Sequence, residues 1–537
     1  MAATQANSIN RISSGLQYDK LLAPKGNPDV GQFVKVLRKT TRWASQLRRV
    51  DFDGQIGFGR KMTLTVPRIA ELLNGATLVV QMPDIATPQE TAAAAAAAAG
   101  TPLLGPRYGW TNSLGHAMIQ TVELEIGGAI VETLDGRLLE VLDELYEPVD
   151  TLKSKNAMIA RAASGFGPTT WVGAPGAPIT VYVPLPFWFS RPGRYSHALP
   201  IDAIYADKVR IHITLRPIED VYYTDARYDA RTVGFREGED VAGAMPELQG
   251  GRFWVSDPAA PGTVYFMNST MPVAGQKGKL LAGYTMPQRL DAEDVYMLMD
   301  YVSVEEPEAI ALRTAELTYF VEQHQAVQSQ ASQHTAEVRI PLPLANTTKD
   351  ILWVLQRPEA EDYNAWFLFT RDLSAYVYRR PNNLNPANPC LTPWWPDADL
   401  TPTAANGWQI LPAFRSAASE PIQGASLFYG SLERFQLTGA AVFRSLLPSR
   451  VAKKAAVHNR YVYIWPFGAG ESAITDEDVF RPAGVANWDK IPRKEMFLTM
   501  SAGSDCSPPP NLNVFVWTTN WNILKVFGGR AGLLFSS

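Results

Sequence analysis

The sequence predicts an all-β protein built as two sandwiches in tandem, with few short helices and long loops. Three observations carry this expectation. Short stretches of alternating apolar and polar residues recur along the chain, and they do so at similar density in two blocks of similar length. The 40 prolines and 39 glycines interrupt any long helix. A chain of 537 residues exceeds one ordinary core, and 46% hydrophobic residues can fill more than one.

Residues 1–28 are polar and carry Gly15, Pro24, Gly26 and Pro28, which reads as an N-terminal arm outside the core. The first block spans 29–218. Its strands are expected at Arg60–Val66, Ala76–Met82, His116–Ile126, Thr180–Phe187 and Lys208–Leu215. Gly127-Gly128 marks a turn, and Pro184 and Pro186 confine their segment to an edge or strand end. After Asp135-Gly136, the spacing of Leu138, Leu139, Leu142 and Leu145 gives one apolar helical face, expected to lid one end of the sandwich. Thr87–Glu90 reads as a capping box, with Pro88 at the first helical position, ahead of the alanines 92–99. Gly100 and Pro102 then stop a short helix lying within a long inter-strand loop. A flexible low-complexity spacer is the alternative reading of the same tract.

Residues 219–290 hold charged clusters such as Arg236–Asp240 among recurrent Gly and Pro, and read as a linker plus an insertion. The second block spans 291–537. Strands are expected at Asp294–Asp300, Glu316–Glu322, Asp350–Leu355, Ala365–Phe369, Arg460–Trp465 and Asn511–Trp517. The stretch from about 372 to 420 is long for a loop and reads as an exposed feature. Trp521–Phe527, the glycines 528, 529 and 532, and Leu533–Phe535 make an end too apolar to hang loose.

Charged residues are 19%, below the roughly 25% of an average soluble domain. Together with 14 Trp, 20 Tyr and 22 Phe, this points to surface that becomes buried against partners. The net charge of −4 gives no basic footprint for direct nucleic-acid binding. Two cysteines, Cys390 and Cys506, make no disulfide framework, which fits folding in a reducing compartment. The N-terminus lacks the basic and apolar regions of a secretory signal, and no apolar run reaches the ~18 residues of a bilayer span. A protein soluble when made is expected.

No catalytic constellation, cofactor motif or metal-ligand spacing emerges. The six histidines (116, 197, 212, 324, 334 and 458) lack zinc-motif spacing, and His116 and His212 read as packed or hydrogen-bonded side chains within strands. Gly275–Leu280 superficially resembles a phosphate-binding loop but has Leu280 where Ser or Thr is needed. The terminal glycines follow a strand, yet too little chain remains for the helix that a dinucleotide fingerprint requires. Glu123 and Glu125 share a strand face, as a paired-carboxylate hydrolase would need, and equally as an ordinary solvated face would. Asn268 and Asn346 head glycosylation patterns that, without a secretory signal, are expected to stay unmodified. Arg48-Arg49 and Lys453-Lys454 read as solvated faces or subunit contacts.

An ordered set of segments resembles the major capsid proteins of nucleocytoplasmic large DNA viruses, the iridovirus and phycodnavirus type. Phe58–Thr63, Leu114–Ile119 and Val122–Gly128 come first, continued by the helix at 135–145. Val183–Phe189, Ala198–Pro200 and Val209–Ile211 follow. In the second block the resemblance rests on Tyr296–Val304 as its opening strand, Glu433–Phe435, Pro482–Asn487, Asn522–Val526 and the terminal glycines. Ala483 stands where the family usually has Ser, and the alanine tract and 219–290 look like insertions. The resemblance implies a double jelly roll of two eight-stranded sandwiches. It also implies a homotrimeric, pseudo-hexagonal capsomer tiling an icosahedral virion, made in the host cytoplasm and assembled in virus factories. Its partners would be itself, neighbouring capsomers, and minor capsid and penton proteins, with an internal membrane reached through minor proteins. No enzyme activity and no cofactor are implied. The competing reading is a carbohydrate- or receptor-binding β-sandwich protein of a virion surface. On the capsid reading, the terminal glycines let Leu533–Phe535 fold back onto their own domain or a neighbouring subunit. Loss of 528–537 is then expected to weaken trimer assembly or stability.

Overall fold

The computed structural model describes residues 41–98, 108–161, 176–190, 197–224, 294–343, 346–358, 420–455, 460–468, 484–491, 493–501 and 511–535. It also describes short pieces at 226–228, 253–256, 264–268, 361, 364, 366–371 and 509. The N-terminal arm, the segment resembling a phosphate loop, both cysteines and the long 372–419 stretch lie outside the described residues. Ala44–Ser537 is one compact unit.

In chain order the first sandwich begins with β1 (Trp43–Asp51), β2 (Lys61–Thr65), β3 (Leu72–Gln81), helix α1 (Ala86–Ala98), the single turn α2 (Leu114–Ala117), β4 (Ile119–Ile126) and β5 (Ala129–Asp135). It continues with α3 (Gly136–Tyr146), α4 (Val149–Met158), β6 (Thr180–Pro184), β7 (Val209–Leu215) and β8 (Val295–Val304). Helix α5 (Glu306–Thr314) leads into the second sandwich. That sandwich comprises β9 (Leu317–Ala331), β10 (Glu337–Pro341), β11 (Thr347–Gln356), β12 (Ile422–Tyr429) and β13 (Leu432–Thr438), then a π-helical turn (Val442–Leu446) and α6 (Leu447–Val451). It ends with β14 (Val462–Pro466), β15 (Lys494–Met500), β16 (Asn513–Phe527) and the short β17 (Arg530–Leu533).

The sheets of the first sandwich run β1-β8-β3-β6 and β2-β7-β4-β5. Those of the second run β9-β16-β11-β14 and β10-β15-β12-β13. Adding eight to every label in the first sandwich generates the second, so two jelly rolls with the same topology follow one another. Period-two patterning explains the packing. In β2, Met62 and Leu64 are buried between exposed Lys61 and Thr65, and in β7 Ile211 and Ile213 face the same core. Met496 and Leu498 on β15, with Leu427 on β12, do the same in the second roll. Thr180–Pro184 is an edge strand, as its prolines require.

Five expectations change. Val295–Val304 does not open the second block: it pairs antiparallel with Leu72–Gln81 and closes the first roll. Residues 219–290 therefore form an insertion between two strands of one sandwich, not a linker between sandwiches. Composition cannot distinguish a loop that leaves a domain from one that returns to it. The cap of α1 is Asp84, whose Oδ1 accepts from the backbone N of Ala86 at 2.9 Å and of Thr87 at 3.1 Å, so the helix starts before the Thr87 box. Trp366–Phe369 is buried but not a strand: Trp366 Nε1 donates to the Asp220 carbonyl at 2.7 Å, and its own carbonyl accepts from Gln356 Nε2. Lys453-Lys454 is only in part a solvated face: the Lys453 side chain is exposed, while both backbone amides donate to the Leu145 carbonyl and the Lys454 side chain is buried.

Candidate functional site: the charged junction between the sandwiches

Helix α3 forms because Asp135 caps it, its Oδ1 accepting from Leu138 N at 2.8 Å. Gly136 is obligatory at its start, since a Cβ there would strike the carbonyl oxygens of His116 and Ile119. The leucine face packs into the first core, but the helix does not lid one end of that sandwich. It lies between the two. Asp135 Oδ2 accepts from Trp517 Nε1 at 2.9 Å, Arg137 donates to Gln356 Oε1 at 3.1 Å and pairs with Glu361, and Tyr146 OH donates to Asp350 Oδ2 at 3.1 Å. Arg137 also lies 4.3 Å from the Phe515 ring centroid. Beside the helix, Gln323 Nε2 donates to the Val131 carbonyl and His324 Nδ1 meets Glu132 Oε1 at 3.0 Å, tying β9 to β5.

At the centre, Glu140 is buried at the junction. His116 on α2 donates through Nδ1 to its Oε2 at 2.7 Å, and Ser113 Oγ donates to Oε1 at 3.1 Å. Arg161 reaches Glu140, Asp143 and Ser113 from the first sandwich, while Arg460 reaches Glu140 and Glu144 from the second. Lys155 lies 3.5 Å from Asp143. Burial pushes the Glu140 carboxyl up, but Arg161, Arg460 and His116 outweigh it and hold Glu140 well below the ordinary carboxylate range. Burial raises Asp143 in the same way, and Arg161 chiefly reverses this and leaves it lowered. Burial pushes the His116 imidazole down, more than Glu140 raises it. Burial likewise lowers the Lys454 ammonium, against Glu144 and Asp143. Beside this cluster a cleft of about 400 Å³ opens between the rolls, lined by Tyr146, Trp188, Glu322, Lys349 and Lys453 among others.

The Ser113 hydroxyl donates to a carboxylate that Arg161 and Arg460 already neutralise, which makes Glu140 a poor base. Fixed charges with matched partners resist sliding of one sandwich on the other, because a shift within the closed junction would leave buried ions without partners. The sequence candidates fall elsewhere. Glu123 pairs with Lys61 at 2.6 Å, and Glu125 accepts from His212 Nε2 at 2.7 Å and Arg210 at 3.0 Å, so each carboxylate belongs to a cross-strand ion pair. His212 also meets Thr63 Oγ1 at 2.9 Å. Asn268 ends a short strand opposite Ala226, and Asn346 is half-buried just before β11, where the Thr348 hydroxyl donates to Asn520 Oδ1 at 2.8 Å. Sequence reasoning missed Glu140, Arg161 and Arg460. The available signal was Glu140 and Glu144, one helical turn apart beside the leucine stripe.

The C-terminal glycines also touch the first sandwich. Gly529, at φ +82, presents its carbonyl to Ala206 N at 2.8 Å and Asp207 N at 3.2 Å, with the Tyr205 ring where a side chain would sit. Leu534 N donates to the Ile523 carbonyl at 2.8 Å, so the last residues fold back on their own domain.

Residues 31–250 match the family model described as "Major capsid protein N-terminus". The major capsid protein of Chrysochromulina ericina virus is 25% identical over 395 residues, covering 67% of this chain and 60% of that protein. Probable capsid protein 4 of Acanthamoeba polyphaga mimivirus is 20% identical over 98% of this chain and 99% of that one, whereas capsid protein 1 of the same virus is matched over only 32% of its length. The solved structure of the Faustovirus major capsid protein superposes with a TM-score of 0.61, covering 98% of each chain at 11% identity. The fold is the double jelly roll of these solved capsid proteins. By sequence the chain is similar to major capsid proteins of large DNA viruses, and it spans less than two thirds of the length of capsid protein 1 and of the Chrysochromulina ericina virus protein.

Proposed function

We propose that this chain is the principal shell subunit of an icosahedral virion, acting as a homotrimer of pseudo-hexagonal outline. The observation that carries the reading is the pair of like-topology jelly rolls fixed side by side through one buried charged junction. Three such pairs supply six similar sandwiches for a closed ring. Trimers then join neighbouring capsomers, minor capsid and penton proteins, and reach an underlying membrane only through those minor proteins. The subunit contacts no nucleic acid, performs no catalysis and uses no cofactor on this reading. It is synthesised in the host cytoplasm and enters the virion at the virus factory, and neither Asn268 nor Asn346 is glycosylated. Native mass spectrometry and negative-stain microscopy of the recombinant protein test the core of this. Trimers with hexagonal outline are expected, and discrete monomers that bind glycan would refute it.

A further inference from the structure

The cleft of about 400 Å³ between the rolls has a composition that the neighbouring ion pairs do not explain. Its walls are largely apolar: Leu139, Leu142 and Tyr146 of α3, with Pro186, Phe187 and Trp188 from the segment after β6. Three ammonium groups line it, Lys155, Lys349 and Lys453, against three carboxylates, Asp143, Glu147 and Glu322. These charges cancel, so the cleft offers no field that would select an ion.

The remaining polar atoms come from both rolls and lack partners. His116 is 2% exposed and commits Nδ1 to Glu140 at 2.7 Å. Its Nε2 has no hydrogen bond among the described residues and faces the cleft that the ring lines. Burial disfavours the imidazolium, so this nitrogen is a bare acceptor. In the second roll His324 is held in the same way, its Nδ1 on Glu132 at 3.0 Å and its Nε2 without a bond among the described residues. Thr519 pairs directly with His324 across β16 and β9, so both side chains leave the same face of the sheet. The Thr519 hydroxyl oxygen is buried, lines the cleft and has no hydrogen-bond partner among the described residues, and the same holds for Ser190 of the first roll.

Buried polar groups are nearly always satisfied in folded proteins. Water alone would bond these four groups but would also wet the apolar walls. A solute with hydroxyls on the edge of an apolar ring meets both requirements, in the manner of small-molecule sites with apolar walls and a few placed polar atoms.

We propose that the cleft binds a small neutral ligand of the dihydric phenol class, its hydroxyls held by His116 and Ser190 of the first roll and by His324 and Thr519 of the second. Such a ligand bridges the junction from within. The site belongs to a single chain and does not depend on the trimer.

Titration of the full chain with resorcinol, followed by saturation-transfer NMR, tests this against toluene, glycerol and benzoate. Resorcinol is expected to bind with a Kd on the order of 1 mM. Toluene lacks the hydroxyls, glycerol lacks the ring and benzoate carries a charge, and each should bind at least about tenfold more weakly. The variant S190A/T519V removes two hydroxyls that bond nothing among the described residues, and it should lose about tenfold in resorcinol affinity, the worth of one to two neutral hydrogen bonds. If it does not fold, each single variant replaces it, with a loss of about fivefold expected. Resorcinol binding no tighter than toluene or glycerol would leave the cleft to water and overturn the site. A preference for benzoate, or resorcinol affinity unchanged by the loss of the hydroxyls, would overturn it equally.

Discussion

Replacing Glu140 by Gln tests whether the buried junction holds the sandwiches together. The substitution keeps shape and removes one charge from a group that Arg161 and Arg460 both contact and that accepts from His116 and Ser113. Deleting one partner of a buried ion pair costs about 3–5 kcal/mol, because the other charge stays buried. Here each guanidinium keeps a second carboxylate, Asp143 for Arg161 and Glu144 at 3.2 Å for Arg460, so the lower end applies, ~3 kcal/mol. A unit of roughly 490 residues unfolds with an entropy on the order of 1 kcal/mol per kelvin, so Tm should fall by about 3 °C if the rolls unfold together. A larger drop, or a split into two calorimetric transitions, would show the rolls uncoupling. Scanning calorimetry and urea unfolding read both quantities. A Glu140→Gln protein within about 0.5 kcal/mol of wild type, with one unchanged transition, would refute the assigned role.

Gly136→Ala should cost about 2–4 kcal/mol in urea unfolding, since the new Cβ meets two backbone carbonyls that cannot move without dislodging α2 or β4; a neutral result would show that the helix start can shift. Stability should also fall in mild acid. The folded-state value of His116 lies below its ordinary 6.5, so as pH drops below 6.5 the unfolded chain gains a proton that the folded chain refuses. Glu140 and Asp143, depressed in the fold, add stability that is present above their ordinary range and lost as pH falls through their folded values. The urea midpoint is therefore expected to decline between pH 7 and 5, and to decline less in His116→Gln; an equal slope in both would remove His116 from the account. Deleting residues 528–537 removes the Gly529 carbonyl from Ala206 and Asp207 and the return of Leu534 onto Ile523. Lower Tm and less trimer should follow, and an unchanged protein on both measures would contradict that role.

Much of the architecture was legible because strands announce themselves locally. Met62 and Leu64 alternate with polar neighbours, and the two prolines of Thr180–Phe187 required an edge or a strand end. Asp135 followed by the leucine stripe marked a helix. Its destination was not legible, because the groups that define it, Gln356, Arg460 and Trp517, lie hundreds of residues away and contact it only after both sheets form. The same limit hid the membership of Val295–Val304: its pattern says strand, while pairing with Leu72–Gln81 is a property of topology. Nothing in the helix pattern marks Glu140 as buried; Arg161 and Arg460, with His116 and Ser113, make its burial tolerable.

The position of β8 has a consequence for how the protein is made. It lies between β1 and β3, in the interior of its sheet, although it is synthesised long after them. Until Val304 has left the ribosome, β1 lacks its neighbour and β3 presents an open edge. At about 5–20 residues per second, the stretch from β7 to the end of β8 keeps that gap open for several seconds or more. The second roll repeats the arrangement, with β16 completing the interior of its sheet nearly at the end of the chain. Each roll therefore passes through a half-closed state with an unpaired strand edge, which makes synthesis the stage most exposed to premature association between chains.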